Sequence, residues 1–285
     1  MRGMKKLLFV LALCFLAGFF ALRYREFKRE ETIALPLAFL PSSFTLVNRP
    51  FAIVIVGVNN GATLEKTLAS IFSQNYENFR LIYVDDASDD GSAEFAKDLI
   101  NQSDRTIPVT FVQNEERLGN LANIFRSVTV SEDEEIIVVL RGEDWLAHEW
   151  VLQRLNAYFA DPDLWVVCGG AMDFPTFQKS TDFSYRENLN VFYAKLFKHV
   201  RKEDFLDAGQ FLPVCTEFAY MIPMLEMAQG HFHRIDEVLL IRSSFAVVQE
   251  DREMATRIER QIRGRQAYAP LTSLQVFECG NDSLQ

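Results

Sequence analysis

The chain has 285 residues, 49% of them hydrophobic, and a formal net charge of −10. Such a length holds one large α/β domain or two small ones, and the acidic balance argues against a nucleic-acid binder, whose affinity rests on basic patches. The four cysteines, Cys14, Cys168, Cys215 and Cys279, form no C-x-x-C pair, which argues against a disulfide framework and against a zinc site.

Arg2, Lys5 and Lys6 precede an uncharged apolar run over residues 7–22, and Arg23, Arg25, Lys28 and Arg29 follow it. The run is slightly shorter than the roughly 20 residues of a standard spanning helix. A cleaved signal peptide has the same layout. Basic residues directly after the run, and the lack of an A-x-A site, favour an uncleaved membrane anchor. Residues 1–31 are therefore read as an anchor or signal segment. Residues 32–49, with Pro36, Pro41, Ser42 and Ser43, read as a linker.

Residues 52–58 form a continuous apolar, β-branched run, as expected of a strand covered on both faces. Asn59, Asn60 and Gly61 break it, and Leu64, Leu68, Ile71 and Phe72 then recur at helical spacing. Residues 81–84 are a second buried strand, with Asp85 and Asp86 at its end. This is a βαβ unit, and open α/β sheets bind ligands at the carboxyl ends of their strands. The same two acids also suit a turn or a helix cap. The alternation continues with a helix over 93–100, a strand over 107–112, a polar loop over 113–118 and a helix over 119–128. Residues 136–140, Ile-Ile-Val-Val-Leu, make the next buried strand, ended by Arg141-Gly142-Glu143-Asp144.

Beyond it come a helix over 148–158, a turn at Asp161-Pro162-Asp163 and a strand over 164–168. Gly169-Gly170 suits a bulge or a close backbone approach. Residues 173–182 are a loop rich in Phe and Thr. Leu189, Phe192, Tyr193, Leu196 and Phe197 place a helix over 188–199. Pro223 is expected to kink or start a helix. His231 and His233 alternate as satisfied polar residues on a strand more readily than they ligate a metal. Residues 237–241 form a last strand and 249–263 a charged amphipathic helix. Residues 265–285 read as a loose tail.

The stretch LxxTLxSIxxQxYxNFxxIxVDDxSxDGS, read here from Leu64 to Ser92, resembles the opening of the inverting glycosyltransferases of family 2, which have the GT-A fold. The resemblance implies a nucleotide-sugar donor. It places Asp86 on the nucleotide base, with Val56, Gly57, Val58 and Asn59 walling that base, and Asn123 near the donor. At 141–146 the family writes DGDDWL or similar, and its D-x-D carboxylates touch the ribose and a divalent metal on the diphosphate. A hard cation held by carboxylate oxygens, Mg or Mn, neutralises the departing diphosphate. Here Arg141 and Glu143 replace the two acids, and Asp144 matches the acid that follows. Glu143 and Asp144 are thus the candidate metal ligands. Arg141 cannot bind a metal, but a guanidinium suits a diphosphate.

The segment Ala219-x-Met221-x-Pro223-Met224-Leu225-Glu226-Met227 is similar to one that follows the family's general base, and Glu217 stands where that Asp is expected. Arg242 and Ser243 replace a Tyr and an Asn expected after the last strand. The reading is a single α/β domain of GT-A (Rossmann-like) type over residues 50–264, a mainly parallel sheet flanked by helices, behind an N-terminal transmembrane segment. The expected activity is sugar transfer to an acceptor hydroxyl of a glycan, lipid or protein, with inversion. The substitutions leave open a second reading, a catalytically impaired relative acting as a membrane-associated scaffold. A nucleotidyltransferase on a similar sheet is less consistent, for want of a Gly-rich loop followed by Lys or Arg.

Overall fold

The computed structural model describes residues 47–180, 188–243 and 252–274, within a unit that begins at Leu46. In chain order the elements are β1 (Phe51–Gly57), α1 (Gly61–Phe72), β2 (Phe79–Asp85), α2 (Ser92–Asn101), β3 (Val109–Gln113), α3 (Asn120–Thr129) and β4 (Ile136–Arg141). There follow β5 (Trp145–Leu146), α4 (Val151–Tyr158), β6 (Val166–Phe174), β7 (Gln178–Lys179), β8 (Leu189–Tyr193) and α5 (Ala194–Lys198). A short ribbon, β9 (Leu206–Asp207) with β10 (Gln210–Phe211), leads to α6 (Thr216–Met227), β11 (Phe232–Ser243) and α7 (Arg252–Arg263).

All seven residues of β1 are buried, because the strand is central and covered on both faces. It pairs in parallel with β2 on one side and β4 on the other. The main sheet runs β3-β2-β1-β4-β8-β6-β11-β5, with β7 beside β6. Strands β1, β2, β3, β4, β6 and β11 point one way, and β5, β7 and β8 run against them. The mainly parallel sheet expected from the sequence is therefore present, with three reversed strands in its second half.

One of those reversals corrects the sequence reading. Residues 188–199 do not form one helix: Leu189–Tyr193 is a strand, and only Ala194–Lys198 is helical. All five residues of β8 are buried, hydrogen-bonded antiparallel to β4 on one edge and β6 on the other. When every side chain is buried, apolar periodicity no longer separates strand from helix. The close approach expected at Gly169-Gly170 occurs where β6 meets the irregular register of β11. A Cβ on Gly170 would sit 2.7 Å from the carbonyl oxygen of Glu237.

The segment after Gly264 is not loose throughout. Tyr268 donates its hydroxyl to Asp204 and its N–H to Glu226 Oε2 at 2.9 Å, Leu271 N–H reaches Met227 O at 2.9 Å, and Leu274 is buried. His231 stacks on Trp165 with ring centroids 3.8 Å apart and makes a hydrogen bond through Nδ1 with Asp163 O at 2.6 Å, and the exposed His233 stacks on Tyr158. Pro223 lies inside α6. Among the described residues no helix is long and apolar enough to cross a membrane. The proposed anchor over residues 7–22, nearly all of the linker, and residues 275–285 lie outside the described residues.

Candidate active site

The sequence gathers its chemistry at the carboxyl ends of β2, β1 and β4. Gly57 is in register with Asp85, and Val56 with Arg141. Asp86 N–H donates to Gly57 O at 2.8 Å and Gly142 N–H to Val56 O at 2.9 Å, so the loops leaving the three strands start side by side. Neighbouring strands lie about 4.8 Å apart, which separates the backbones at Asp85 and Arg141 by roughly 10 Å.

Asn60 locks the loop after β1 to the loop after β4. It is buried, donates Nδ2–H to Gly142 O at 2.6 Å and accepts from the Tyr83 hydroxyl at 3.4 Å. Thr67 donates its hydroxyl to the same carbonyl at 3.1 Å. A side chain at 142 has no room: its Cβ would lie 2.5 Å from Asn60 Nδ2 and 2.7 Å from Gly57 Cα. Asn60 carries no family signature, and sequence reasoning missed it. Its neighbour Asn59, expected at the base, is exposed, has φ 52°, and exchanges two hydrogen bonds with Asp89. Val56 is buried within the sheet, which leaves Val58 and Asn59 as the exposed side chains of that wall.

Asp86 is buried, and both its oxygens are engaged. Oδ1 accepts from Asn114 Nδ2 at 2.8 Å and Leu118 N at 2.9 Å, and Oδ2 accepts from Gly119 N at 2.9 Å. Asn114 also donates to Asn123 Oδ1 at 2.9 Å, which brings the predicted residues Asp86 and Asn123 into one network. Burial pushes the Asp86 carboxyl up, but the hydrogen bonds from Leu118, Asn123, Asn114 and Gly119 outweigh it and hold the group below the ordinary carboxylate range. A carboxylate has about four lone-pair positions, and these four hydrogen bonds fill them, so the Asp86 carboxylate is fixed in place by the loop around it. Asn114 was missed because only the fold brings the end of β3 to the start of α3.

Across β1 the second cluster contains Arg141, Glu143, Asp144 and Glu217. Glu217 sits in the first turn of α6, where the helix N-terminus favours a carboxylate. The chain reaches that turn through Cys215, a non-glycine residue at φ 59°. Arg141 donates from Nη2 at 2.6 Å and from Nε at 3.2 Å to one oxygen, Glu217 Oε1. The sequence assigned Arg141 to a diphosphate and Glu217 to proton removal. The structure joins the two in an ion pair. The Glu217 carboxylate raises the Arg141 guanidinium further, against the opposing effect of burial.

Glu143 and Asp144 are held in a drier setting. Burial raises the Glu143 carboxyl, with the Arg141 charge opposing it. Asp144, 5% exposed, is pushed up to about 7, chiefly by burial and then by the Glu143 charge, while Arg141 and the Ser243 N–H oppose the rise. Ser243 N–H donates to Asp144 Oδ1 at 2.9 Å, and Arg242 pairs with Asp173 at 2.5 Å. The substitutions at 242 and 243 thus brace the rim of this cluster. Trp145 and Phe174 pack edge to face beside it, with Lys66 Nζ 4.4 Å from the Phe174 ring centroid.

Among the described residues no group of three or more His, Cys, Asp or Glu is arranged to hold a metal. Glu143 and Asp144 supply two adjacent carboxylates, and one Asp144 oxygen is already used by Ser243. That set fits a magnesium-like ion shared with substrate phosphates, which needs only one or two protein carboxylates. It does not make a complete cage from the chain alone.

Comparison with known proteins gives the family and the fold. The model of the family described as glycosyl transferase family 2 matches residues 52–220, more than half of the chain. The uncharacterized protein MT1568 of Mycobacterium tuberculosis (strain CDC 1551 / Oshkosh) is 35% identical over 106 residues, covering 37% of this chain and 31% of that protein. Among solved structures, S. aureus TarS 1-349 in complex with UDP superposes with a TM-score of 0.57 at 13% identity, over 75% of this chain and 64% of that one. The mannosyltransferase PcManGT from Pyrobaculum calidifontis, in complex with GDP-Man and Mn2+, gives a TM-score of 0.56 at 18% identity, over 91% and 76%. The chain spans less than two thirds of MT1568 and of that TarS structure. The structural likenesses carry the fold, and the family match covers the strands and loops that hold Asp86, Arg141, Glu143, Asp144 and Glu217. This chain belongs to glycosyl transferase family 2.

Proposed function

We propose that the chain transfers a sugar from a nucleotide-sugar donor to an acceptor hydroxyl, with inversion at the anomeric carbon. One observation carries the reading: the first turn of α6 holds Glu217 against the Arg141-Glu143-Asp144 loop, at the carboxyl ends of the parallel strands. UDP in TarS and GDP-Man in PcManGT support a nucleotide donor.

In this mechanism the acceptor oxygen bonds to the anomeric carbon as the bond from that carbon to the diphosphate oxygen breaks. The acceptor proton passes to Glu217, and the nucleoside diphosphate leaves. The Asp86 network and the exposed Val58-Asn59 edge receive the base. Arg141 faces the diphosphate. A divalent ion held by Glu143 and Asp144 would neutralise diphosphate charge when bound. The acceptor is a glycan, lipid or protein hydroxyl. We also propose that residues 7–22 attach the domain to a membrane.

The Arg141–Glu217 pair is also what favours the second reading, a scaffold whose base is neutralised. Calorimetry with UDP and with GDP, in magnesium, manganese and chelator, separates the two. The enzyme reading expects nucleotide binding, donor turnover with inverted anomeric configuration by NMR, and a loss of about 10²–10⁴ in rate for Glu217→Gln. Absence of nucleotide binding under every condition would leave the scaffold.

A further inference from the structure

The ion pair between Arg141 and Glu217 points to a coupling between donor binding and the base. We propose that Arg141 is a donor-operated switch: a nucleoside diphosphate draws its guanidinium away from Glu217 and thereby releases the carboxylate to accept the proton. This rests on the reading of the site as one for a nucleotide sugar.

Three features of the pair support the exchange. Both guanidinium donors, Nη2 and Nε, converge on one oxygen, Oε1. Neither Nη1 of Arg141 nor Oε2 of Glu217 makes a hydrogen bond among the described residues, so the contact does not use the planar two-by-two match of which Arg and a carboxylate are capable. The Arg141 side chain is 37% exposed and that of Glu217 15%, so Arg141 is the less enclosed partner of the two. A diphosphate carries more charge than a carboxylate and takes a guanidinium bidentately. Glu143 and Asp144 also attract Arg141, but Glu217 is the carboxylate to which it is bonded.

The arrangement has a chemical use. While paired, Glu217 Oε1 is occupied by two guanidinium donors, and its charge is committed to Arg141. Once the diphosphate holds Arg141, the proton has an acceptor only when a donor is in place. Water or acceptor arriving alone meets a neutralised base.

If Glu217 and the diphosphate compete for one guanidinium, each weakens the hold of the other by the same factor. A double-mutant cycle in UDP and GDP affinity, by calorimetry on the full chain in chelator and again in magnesium, reads that factor. Glu217→Gln keeps the shape and removes the competing charge. It should tighten nucleotide binding about fivefold or more, the lower end of typical coupling. Arg141→Met should weaken binding, and Glu217→Gln added to Arg141→Met should gain nothing. Unchanged or weaker binding by Glu217→Gln overturns the switch while leaving the nucleotide reading intact, provided the parent binds. No binding by any of the four proteins overturns both. Should Glu217→Gln not fold, the Arg141 Nε–H resonance of the parent, identified by its loss in Arg141→Lys, reports the same event. It must shift on adding UDP or GDP, and a signal unmoved at saturation overturns the exchange.

Discussion

Replacing Asp144 by Asn tests whether burial governs this cluster. Asp144 is 5% exposed and its carboxyl is raised from an ordinary value of 3.8 to about 7, first by burial and then by Glu143. A raised acid keeps its proton in the folded chain at pH values where the unfolded chain has already lost it. The folded state therefore binds more protons between about pH 4 and 7, and stability falls as pH rises through that window. At about 1.4 kcal/mol per pKa unit, the full penalty is up to about 4 kcal/mol above pH 7 and vanishes below pH 4. Asn keeps an oxygen for the Ser243 N–H and never ionises. Asp144→Asn should match the parent near pH 4 and exceed it at pH 8. With a slope of about 2–3 kcal/mol per molar urea, the gain moves the midpoint by between about 1 and 2 M. The assay is urea unfolding of both proteins at pH 4, 5, 6, 7 and 8, with chelator and no nucleotide. A stability difference that stays flat across that range, or a parent more stable than the variant at pH 8, would refute the burial argument.

Gly142→Ala forces a Cβ to within 2.5 Å of Asn60 Nδ2 and 2.7 Å of Gly57 Cα. Overpacking together with loss of the Asn60–Gly142 hydrogen bond should cost about 2–5 kcal/mol and weaken nucleotide binding, checked by thermal unfolding with and without UDP. A drop in Tm of under about 2 °C with UDP binding retained would count against the locked loops. Asp86→Ala strands the N–H groups of Leu118 and Gly119 and the Asn114 amide, at about 1–3 kcal/mol for each donor that water cannot reach. Faster amide exchange at Leu118 and Gly119, ahead of the sheet, is the expected signature; uniform exchange would show that Asp86 does not hold that loop. The apolar run over residues 7–22 should keep the full chain with membranes through a carbonate wash, and a processed soluble chain starting near Leu22 would instead identify a cleaved signal.

Much of the first half of the fold was legible because its determinants are local. Residues 52–58, 81–84 and 136–140 are apolar runs closed by polar loops, and a βαβ unit needs only its own residues to be read. The carboxylates at the strand ends came with them, since the end of a parallel strand is visible wherever the run stops. What tertiary structure alone decided is contact between residues distant in the chain. Arg141 and Glu217 are 76 positions apart, so no spacing rule could pair them, and the pairing changes the chemistry expected of both. The strand Leu189–Tyr193 has the apolar spacing of a helix, and it is a strand because β4 and β6 offer hydrogen bonds on both edges. The segment after Gly264 is polar enough to read as a tail, yet Asp204, Glu226 and Met227 bind it. Asp144 is an ordinary acid in the sequence and is pushed up to about 7 chiefly by the burial the fold imposes, with the Glu143 charge adding to it, because the cost of a buried charge belongs to the environment and not to the residue.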